Sequence, residues 1–306
     1  MVFRDEKGRL YHIGAAAGEV ANRVLLPGSR VRVKKIAEFL SDAKVIHDGR
    51  YLLVTGEYEG VPVSAIDTGI GPSSAAIVVR EVLEAIDLSQ SDAILIRPGT
   101  CGSLQPWVKV GDLIVSTGVV AQDGVTPKVA GERYPLFSDP GMVEALIEAA
   151  TRIGYEPGIS LHVGVTHAKD ALYEVEEAPA AAEPWRAERY LEYLQRMGVL
   201  ATEMELGTIL AVSAQYNARL AKEGKAQRVR VGGVFLSVSP VKVPAGNRPG
   251  CISRTRRSEG RGGPNSNGIP NASPTAAPTT QPQARSRIPA SIYLLPTGQF
   301  RTIPLQ

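Results

Sequence analysis

Ile94-Leu-Ile-Arg-Pro-Gly-Thr-Cys-Gly-Ser-Leu-Gln-Pro106 decides how the rest of the chain is read. An apolar strand, Ala93 to Ile96, runs into Arg97 and then into Gly99, Thr100, Gly102 and Ser103. Glycines remove the Cβ and let backbone N–H groups approach an anion closely. Arg97 adds a planar, permanently charged fork that fits phosphate oxygens, and Thr100 adds a hydroxyl. An isolated Arg-x-Gly-Thr reads better as an ordinary turn after a strand, so its flanks carry the weight.

Outward from this stretch, strands alternate with helices. Val24 to Leu26 is a short strand that breaks at Pro27-Gly28. The spacing of Val33, Ile36, Ala37 and Leu40 predicts a helix from about Val31, with Ser29 as its N-cap. Gly28 before a helix start, with Arg30 or Arg32 beside it, is a second anion site or a plain strand–turn–helix with solvated basic residues. Tyr51–Thr55 and Val61–Ile66 predict a hairpin turning at Glu59-Gly60, with Arg50 at its outer start. Thr68-Gly-Ile-Gly-Pro-Ser73 is a third glycine turn, leading into a helix capped by Ser73 or Ser74.

Further along, Val110–Ser116 predicts a strand, 117–139 a loop, and Met142–Ile153 a helix. Ser160–Thr166 predicts a strand that ends at His167-Ala-Lys-Asp170. A helix is expected from about Ala187 to Arg196. Val199-Leu-Ala-Thr-Glu-Met-Glu-Leu206 opens as a strand and becomes a helix whose buried stripe takes in Met204, Gly207, Leu210 and Ala211. Glu203 and Glu205 stand at that junction. There, carboxylates either hydrogen-bond sugar hydroxyls and act as acid and base, or complement the helix dipole. Arg228–Leu236 is the last clear strand.

This order predicts an α/β protein: a three-layer α/β/α domain over residues 1–244 with a mixed central sheet. Residues 245–306 read as a poorly ordered Pro/Gly/Ser-rich tail, with a small hairpin near Ile292 and Phe300. The Pro27-Gly28, Gly69-Ile-Gly71, Arg97–Thr100 and Ala168-Lys-Asp170 turns are expected on one rim, at the carboxyl ends of strands, where such sheets bind ligands.

The 306 residues are 43% hydrophobic, enough for a sizeable core. With 34 basic and 31 acidic residues the net charge is +3, which argues against a general nucleic-acid binder and makes any anion specificity local. Cys101 and Cys251 lie far apart and show no metal or redox spacing, so a reducing setting and no metal are expected. No apolar run is long enough to span a membrane, and Met1-Val-Phe-Arg-Asp-Glu-Lys7 is too charged for a signal peptide. A cytoplasmic location is the expectation.

Taken together, the motifs of residues 10 to 240 resemble the trimeric and hexameric nucleoside phosphorylases, the group of uridine phosphorylase and bacterial-type purine nucleoside phosphorylase. Leu25-Leu-Pro-Gly-Ser-Arg-Val-Arg-Val33 is similar to the family's Pro-Gly-Asp-Pro-x-Arg-Val phosphate turn, which implies that Gly28 and Arg32 contact phosphate. Arg97-Pro-Gly-Thr100 with Cys101-Gly102 is similar to its Arg-x-Gly-Thr-x-Gly loop, which implies the same for Arg97 and Thr100. Arg50 resembles an arginine that reaches phosphate from a neighbouring subunit. Thr202-Glu-Met-Glu-Leu206 resembles the ribose motif, so Glu203, Met204 and Glu205 are implied at the sugar, with Glu205 on its 2′ and 3′ hydroxyls. His12 matches a histidine that crosses a subunit interface to the 5′ hydroxyl. Gly102 and Tyr173 are implied at the base.

The resemblance implies phosphorolysis of a nucleoside by inorganic phosphate, without a cofactor, with Arg97 and Glu205 at the reacting centre. The implied assembly is a homo-oligomer, a dimer or hexamer. A nucleosidase using water, or a non-catalytic nucleoside-binding protein on the same fold, is the alternative. Two departures stand out. Leu172-Tyr173 is followed by Glu174-Val-Glu-Glu-Ala-Pro179 in place of the uracil-clamping Gln-x-Arg. Leu236-Ser-Val-Ser-Pro240 has no acid where the purine enzymes carry an Asp.

Overall fold

A computed structural model of the chain describes residues 2–89, 91–177 and 180–241. The expected tail and its small hairpin lie outside the described residues. In order, the elements are β1 (Arg23–Leu25), α1 (Arg30–Ala37), β2 (Ser41–Asp48), β3 (Leu52–Tyr58), β4 (Val61–Ile66), α2 (Pro72–Ala85), β5 (Ala93–Ser103) and β6 (Leu113–Gln122). Then follow α3 (Thr126–Ala130), β7 (Leu136–Phe137), α4 (Pro140–Arg152), β8 (Leu161–Lys169), α5 (Tyr173–Glu176), α6 (Pro184–Arg196), β9 (Ala201–Glu203), α7 (Leu206–Lys222) and β10 (Val229–Pro240).

The strands form one mixed sheet in the order β2-β3-β4-β1-β5-β9-β8-β6-β10. β10 also pairs with β5, so β5, β9, β8, β6 and β10 close into a ring. The pairs β1–β4, β1–β5, β5–β10, β6–β8 and β8–β9 are parallel. The β2–β3–β4 meander is antiparallel, and its inner hairpin turns at Glu59-Gly60 as expected, both residues at positive φ.

Helices cover both faces, as the alternation requires. On one face Val78, Val79 and Val82 of α2 join Leu206, Ile209 and Leu210 of α7 in the larger cluster. On the other, Val33 and Ile36 of α1 join Met142, Leu146 and Ala150 of α4. Each fully buried aliphatic side chain contributes about 1.5–3 kcal/mol, so these stripes fix the helices on the sheet. Asp139 caps α4 by accepting from the Met142 N–H at 3.2 Å, and Pro140 occupies its first turn.

The structure corrects the local reading in several places. β5 continues through the glycines to Ser103, because β10 pairs with it along its whole length, with one register shift at Val238. Ser41–Asp48 is an edge strand that the sequence reading leaves without structure; its side chains are largely exposed, so no alternating apolar face advertises it. The 117–139 stretch holds the end of β6, α3 and β7 rather than a plain loop. Gly71, at φ 86°, is the N-cap of α2, and Ser74 turns back to bond the Thr68 carbonyl and the Tyr51 hydroxyl. Ser29 holds the N-cap position of α1 but makes no side-chain capping bond. Met204 precedes α7 and is only partly buried. Among the described residues no helix is long and apolar enough to cross a membrane.

Candidate active site

The site begins where β5 loses a neighbour. One edge of β5 pairs with β10 throughout. The opposite edge pairs with β1 only as far as Ile96, and with β9 only from Gly102. Between these two limits the strand edge is open, and Arg97 to Cys101 occupy the gap. A short β1 that breaks at Pro27-Gly28 makes the opening, since proline cannot donate to a ladder.

Arg97 is 4% exposed. Its Nη1 donates to the Leu26 carbonyl at 2.9 Å and to the Thr68 hydroxyl at 3.0 Å. Its Nη2 forms an ion pair with Glu205. Gly28 lies against it: a Cβ there would stand 3.3 Å from both Arg97 terminal nitrogens and 3.7 Å from Nη2 of Arg32. Two guanidinium groups therefore flank one side-chain-free backbone position, with Nη1 of Arg32 3.4 Å from the Pro98 carbonyl oxygen. Such planar donors around a glycine suit a tetrahedral oxyanion.

Glu203 and Glu205, alike in sequence, part company here. The Glu205 carboxylate accepts from the Gly71 N–H at 2.8 Å and pairs with Arg97. It joins the third glycine turn, whose Gly69 and Gly71 both sit at positive φ, to the β5 opening. The Glu203 carboxylate instead accepts from the N–H groups of Glu205 and Leu206, at 2.8 and 2.9 Å, and so caps the start of α7. Burial first, and then the neighbouring Glu205 charge, raise its pKa to about 7. The helix-start reading of the acidic pair thus holds for Glu203, while Glu205 is turned toward Arg97 and the glycine turn.

Beyond Glu203 the buried polar groups continue along β9 and β8. Thr202, opposite Gly102 in register, accepts from the Lys169 ammonium at 2.9 Å and bonds Nδ1 of His167 at 3.0 Å. Nε2 of His167 meets the Gln122 side-chain oxygen at 3.0 Å. Burial, reinforced by the Lys169 charge, lowers the His167 pKa to about 3, so the ring is neutral. That network assigns its proton to Nε2. Lys169 also pairs with Glu176 at 2.7 Å. Cys101 is buried beside these groups, and burial followed by the Glu203 and Glu176 charges pushes its thiol pKa up. It is therefore a packing residue in a protonated state.

The structure gathers Gly28, Arg32, Arg97 and Glu205 in one place. Met204, between Glu203 and Glu205 in sequence, is partly buried, and Gly102 faces Glu176, whose Oε2 is 3.2 Å from where a Gly102 Cβ would be. Thr100 and Tyr173 are exposed, Tyr173 to 66%. Arg50 is exposed just before Tyr51. His12 is held elsewhere: its Nδ1 lies 2.6 Å from the Glu81 carboxylate, which also accepts the His12 and Ile13 N–H groups. Neither His12 nor Arg50 is among the partners of Arg97 and Glu205 described above.

Sequence reasoning missed Thr68, Glu81, Thr202 and Glu176. Glu81 had a signal: an acid on the inward face of α2, beside Val78 and Val82, is 3% exposed and needs partners. Thr68 and Thr202 had none beyond their neighbours, because a hydroxyl's partner is set by tertiary packing.

The comparisons agree with the fold. Residues 22–222 match the model of the phosphorylase superfamily. A uridine phosphorylase of Thermococcus kodakarensis is 36% identical over 219 residues, spanning 71% of this chain and 76% of that one. A DeoD-type purine nucleoside phosphorylase of Geobacillus kaustophilus is 35% identical over 211 residues, or 68% and 81% of the two chains. A uridine phosphorylase of Klebsiella aerogenes is 30% identical over 244 residues, covering 78% of this chain and 90% of that protein. The chain belongs to the phosphorylase superfamily. Within it, its place is among the nucleoside phosphorylases.

Proposed function

We propose that this chain is a pentosyltransferase: it takes a nucleoside and inorganic phosphate reversibly to free base and ribose 1-phosphate. The observation that carries this reading is the buried Arg97–Glu205 pair, set beside Gly28 and Arg32. One member suits an oxyanion and the other suits sugar hydroxyls, and their contact puts the two ligands side by side. Thr100 and a neighbouring subunit's Arg50 complete the phosphate cradle. Met204 and Glu205 hold the ribose, with Glu205 accepting from its 2′ and 3′ hydroxyls, and a neighbouring subunit's His12 meets the 5′ hydroxyl. Glu203 supports them by capping α7.

The chemistry follows from that placement. The C1′–N bond breaks, and its electron pair leaves with the base. C1′ becomes an oxocarbenium-like cation. A phosphate oxygen, oriented by Arg32 and Arg97, lies against that cation and forms the new C1′–O bond. Positioning and electrostatics supply the acceleration, and no covalent enzyme intermediate is needed. Phosphate is the co-substrate, and no other cofactor enters. Relatives named for uridine and for purine nucleosides stand at nearly equal identity, so base choice has to be argued from this chain's own residues.

The test is release of base from a nucleoside panel with and without phosphate. Release that requires phosphate is expected. Release in water alone would make the chain a nucleosidase, and tight binding without turnover would make it a binding protein. The oligomer has its own test, since neither His12 nor Arg50 is among the described partners of Arg97. Arg50→Ala and Arg97→Ala subunits, each impaired alone, should regain part of the activity when mixed. No recovery after demonstrated subunit exchange would mean that Arg50 does not act across an interface.

A further inference from the structure

Lys169 is 1% exposed and heads the fully buried side chains by volume among the described residues, yet the phosphorolysis just described gives it nothing to do. A buried ammonium is costly unless paired and hydrogen-bonded. Here it has one carboxylate, Glu176 at 2.7 Å, and one hydroxyl, Thr202 at 2.9 Å. Thr202 directly precedes Glu203, and Gly102 lies opposite it on β5. Oε1 of Glu176 takes the ammonium, while Oε2 points toward the bare backbone of Gly102, at 3.2 Å from the ideal Cβ position. An ammonium with three donors and a carboxylate with an oxygen to spare thus stand together, next to the sugar end of the site. Glu176 also stands in the segment after Tyr173 where the uracil-clamping Gln-x-Arg is missing.

We propose that Lys169 and Glu176 read the nucleobase, and that they select bases presenting a carbonyl beside a ring N–H, which are the oxo bases of the uracil, hypoxanthine and guanine type. The assignment rests on the phosphorolysis reading. Lys169 donates to the carbonyl oxygen, and Glu176 accepts from the ring N–H. The leaving base carries away the electron pair of the glycosidic bond, and that negative charge spreads to the carbonyl oxygen. An ammonium fixed there, away from water, stabilises the charge as it develops. The sugar fixes the pose of the base. In that pose an amino base of the cytosine or adenine type presents N–H hydrogens to the ammonium and a lone pair to the carboxylate. Both contacts then become repulsive, which is how a polar pocket rejects the wrong partner.

The experiment uses the full chain, with uridine, inosine, guanosine, cytidine and adenosine, each with phosphate, and reads kcat/KM. Uridine, inosine or guanosine should exceed both amino nucleosides about tenfold or more, the size of a single well-formed contact to a charge. Lys169→Met and Glu176→Gln should each shrink that ratio. A purely structural Lys169 would slow all nucleosides alike and leave the ratio unchanged. Should Lys169→Met fail to fold, Glu176→Gln, on a partly exposed position, carries the test alone. Amino nucleosides preferred or equal, or a parental ratio in a folded Glu176→Gln protein, would overturn the assignment while leaving phosphorolysis standing. No phosphate-dependent release from any nucleoside would overturn both.

Discussion

Two cation–carboxylate pairs, each with a buried cation, lie near the same strand ends, and they are built differently. Arg97 and Glu205 are 108 residues apart in sequence and meet because β5, the start of α7 and the turn after β4 all converge. Lys169 and Glu176 are near neighbours in sequence, one at the end of β8 and the other on the single turn of α5. The first pair is locked by elements that also carry the core. The second depends on a four-residue helix that is marginal by itself. If the phosphorolysis reading and the base assignment proposed above hold, the contrast teaches that such a scaffold can keep its phosphate and sugar corner constant while its base corner changes through a few residues of one short segment.

The largest blow to the first corner should come from Arg97→Ala. Truncation leaves the Glu205 carboxylate buried, with the Gly71 N–H as its remaining bond of those described above. Breaking a buried pair from one side costs about 3–5 kcal/mol, so the thermal midpoint should fall clearly. The lost charge-assisted contact is worth about 1.5–3 kcal/mol, so the apparent phosphate KM should rise about tenfold or more. A parental phosphate KM would show that the cradle has been assigned to the wrong arginine.

Glu205→Gln is a gentler cut at the same place. The amide keeps the shape, and its oxygen can still accept from Gly71, but the ion pair with Arg97 is lost. Activity on ribosides should drop more than activity on 2′-deoxyribosides, because only the former offer the 2′ hydroxyl to the carboxylate. Parallel rate measurements on a riboside and its 2′-deoxy counterpart decide this. Equal losses would mean that Glu205 makes no contact with the 2′ hydroxyl.

Legibility in the sequence follows the same divide. Val33 and Ile36, or Leu146 and Ala150, announce their helices by spacing, since one buried stripe sets both the period and the packing. Arg97 and Gly99 suggest an anion site only together with the other glycine turns on the same rim, because alone they read as an ordinary turn after a strand. The extension of β5 to Ser103 was hidden, because its glycines look like a loop until β10 arrives from more than a hundred residues away to pair with them. β2 was hidden for the opposite reason: an exposed edge strand has no apolar face to show. The Lys169–Glu176 pair was half hidden. Lys169 fell on an expected rim turn, but the acidic run after Tyr173 looks like solvated surface, and only the fold reveals which of its carboxylates meets a buried ammonium.

The smallest expected effect belongs to Glu203, and it tests whether the two acids of Glu203-Met-Glu205 really divide their duties. Its folded-state pKa is raised to about 7, by burial first and then by the Glu205 charge, from an ordinary value of 4.5. Between these two values the unfolded chain has released this proton and the folded chain still holds it. The folded state then binds more protons than the unfolded state, so stability from this group falls as pH rises through that window. Below 4.5 both states are protonated and the contribution is flat. Above about 7 both are ionised, and the cost is complete. Glu203→Gln keeps an oxygen for the Leu206 and Glu205 N–H groups but cannot ionise, so it should flatten the slope while leaving the cap in place. Thermal midpoints of parent and variant, taken across that window, should diverge with the variant gaining at the higher pH. Parallel curves would mean that Glu203 is ionised in the folded chain throughout. The capping carboxylate would then draw more from its two backbone donors and from Arg97 than it loses by burial.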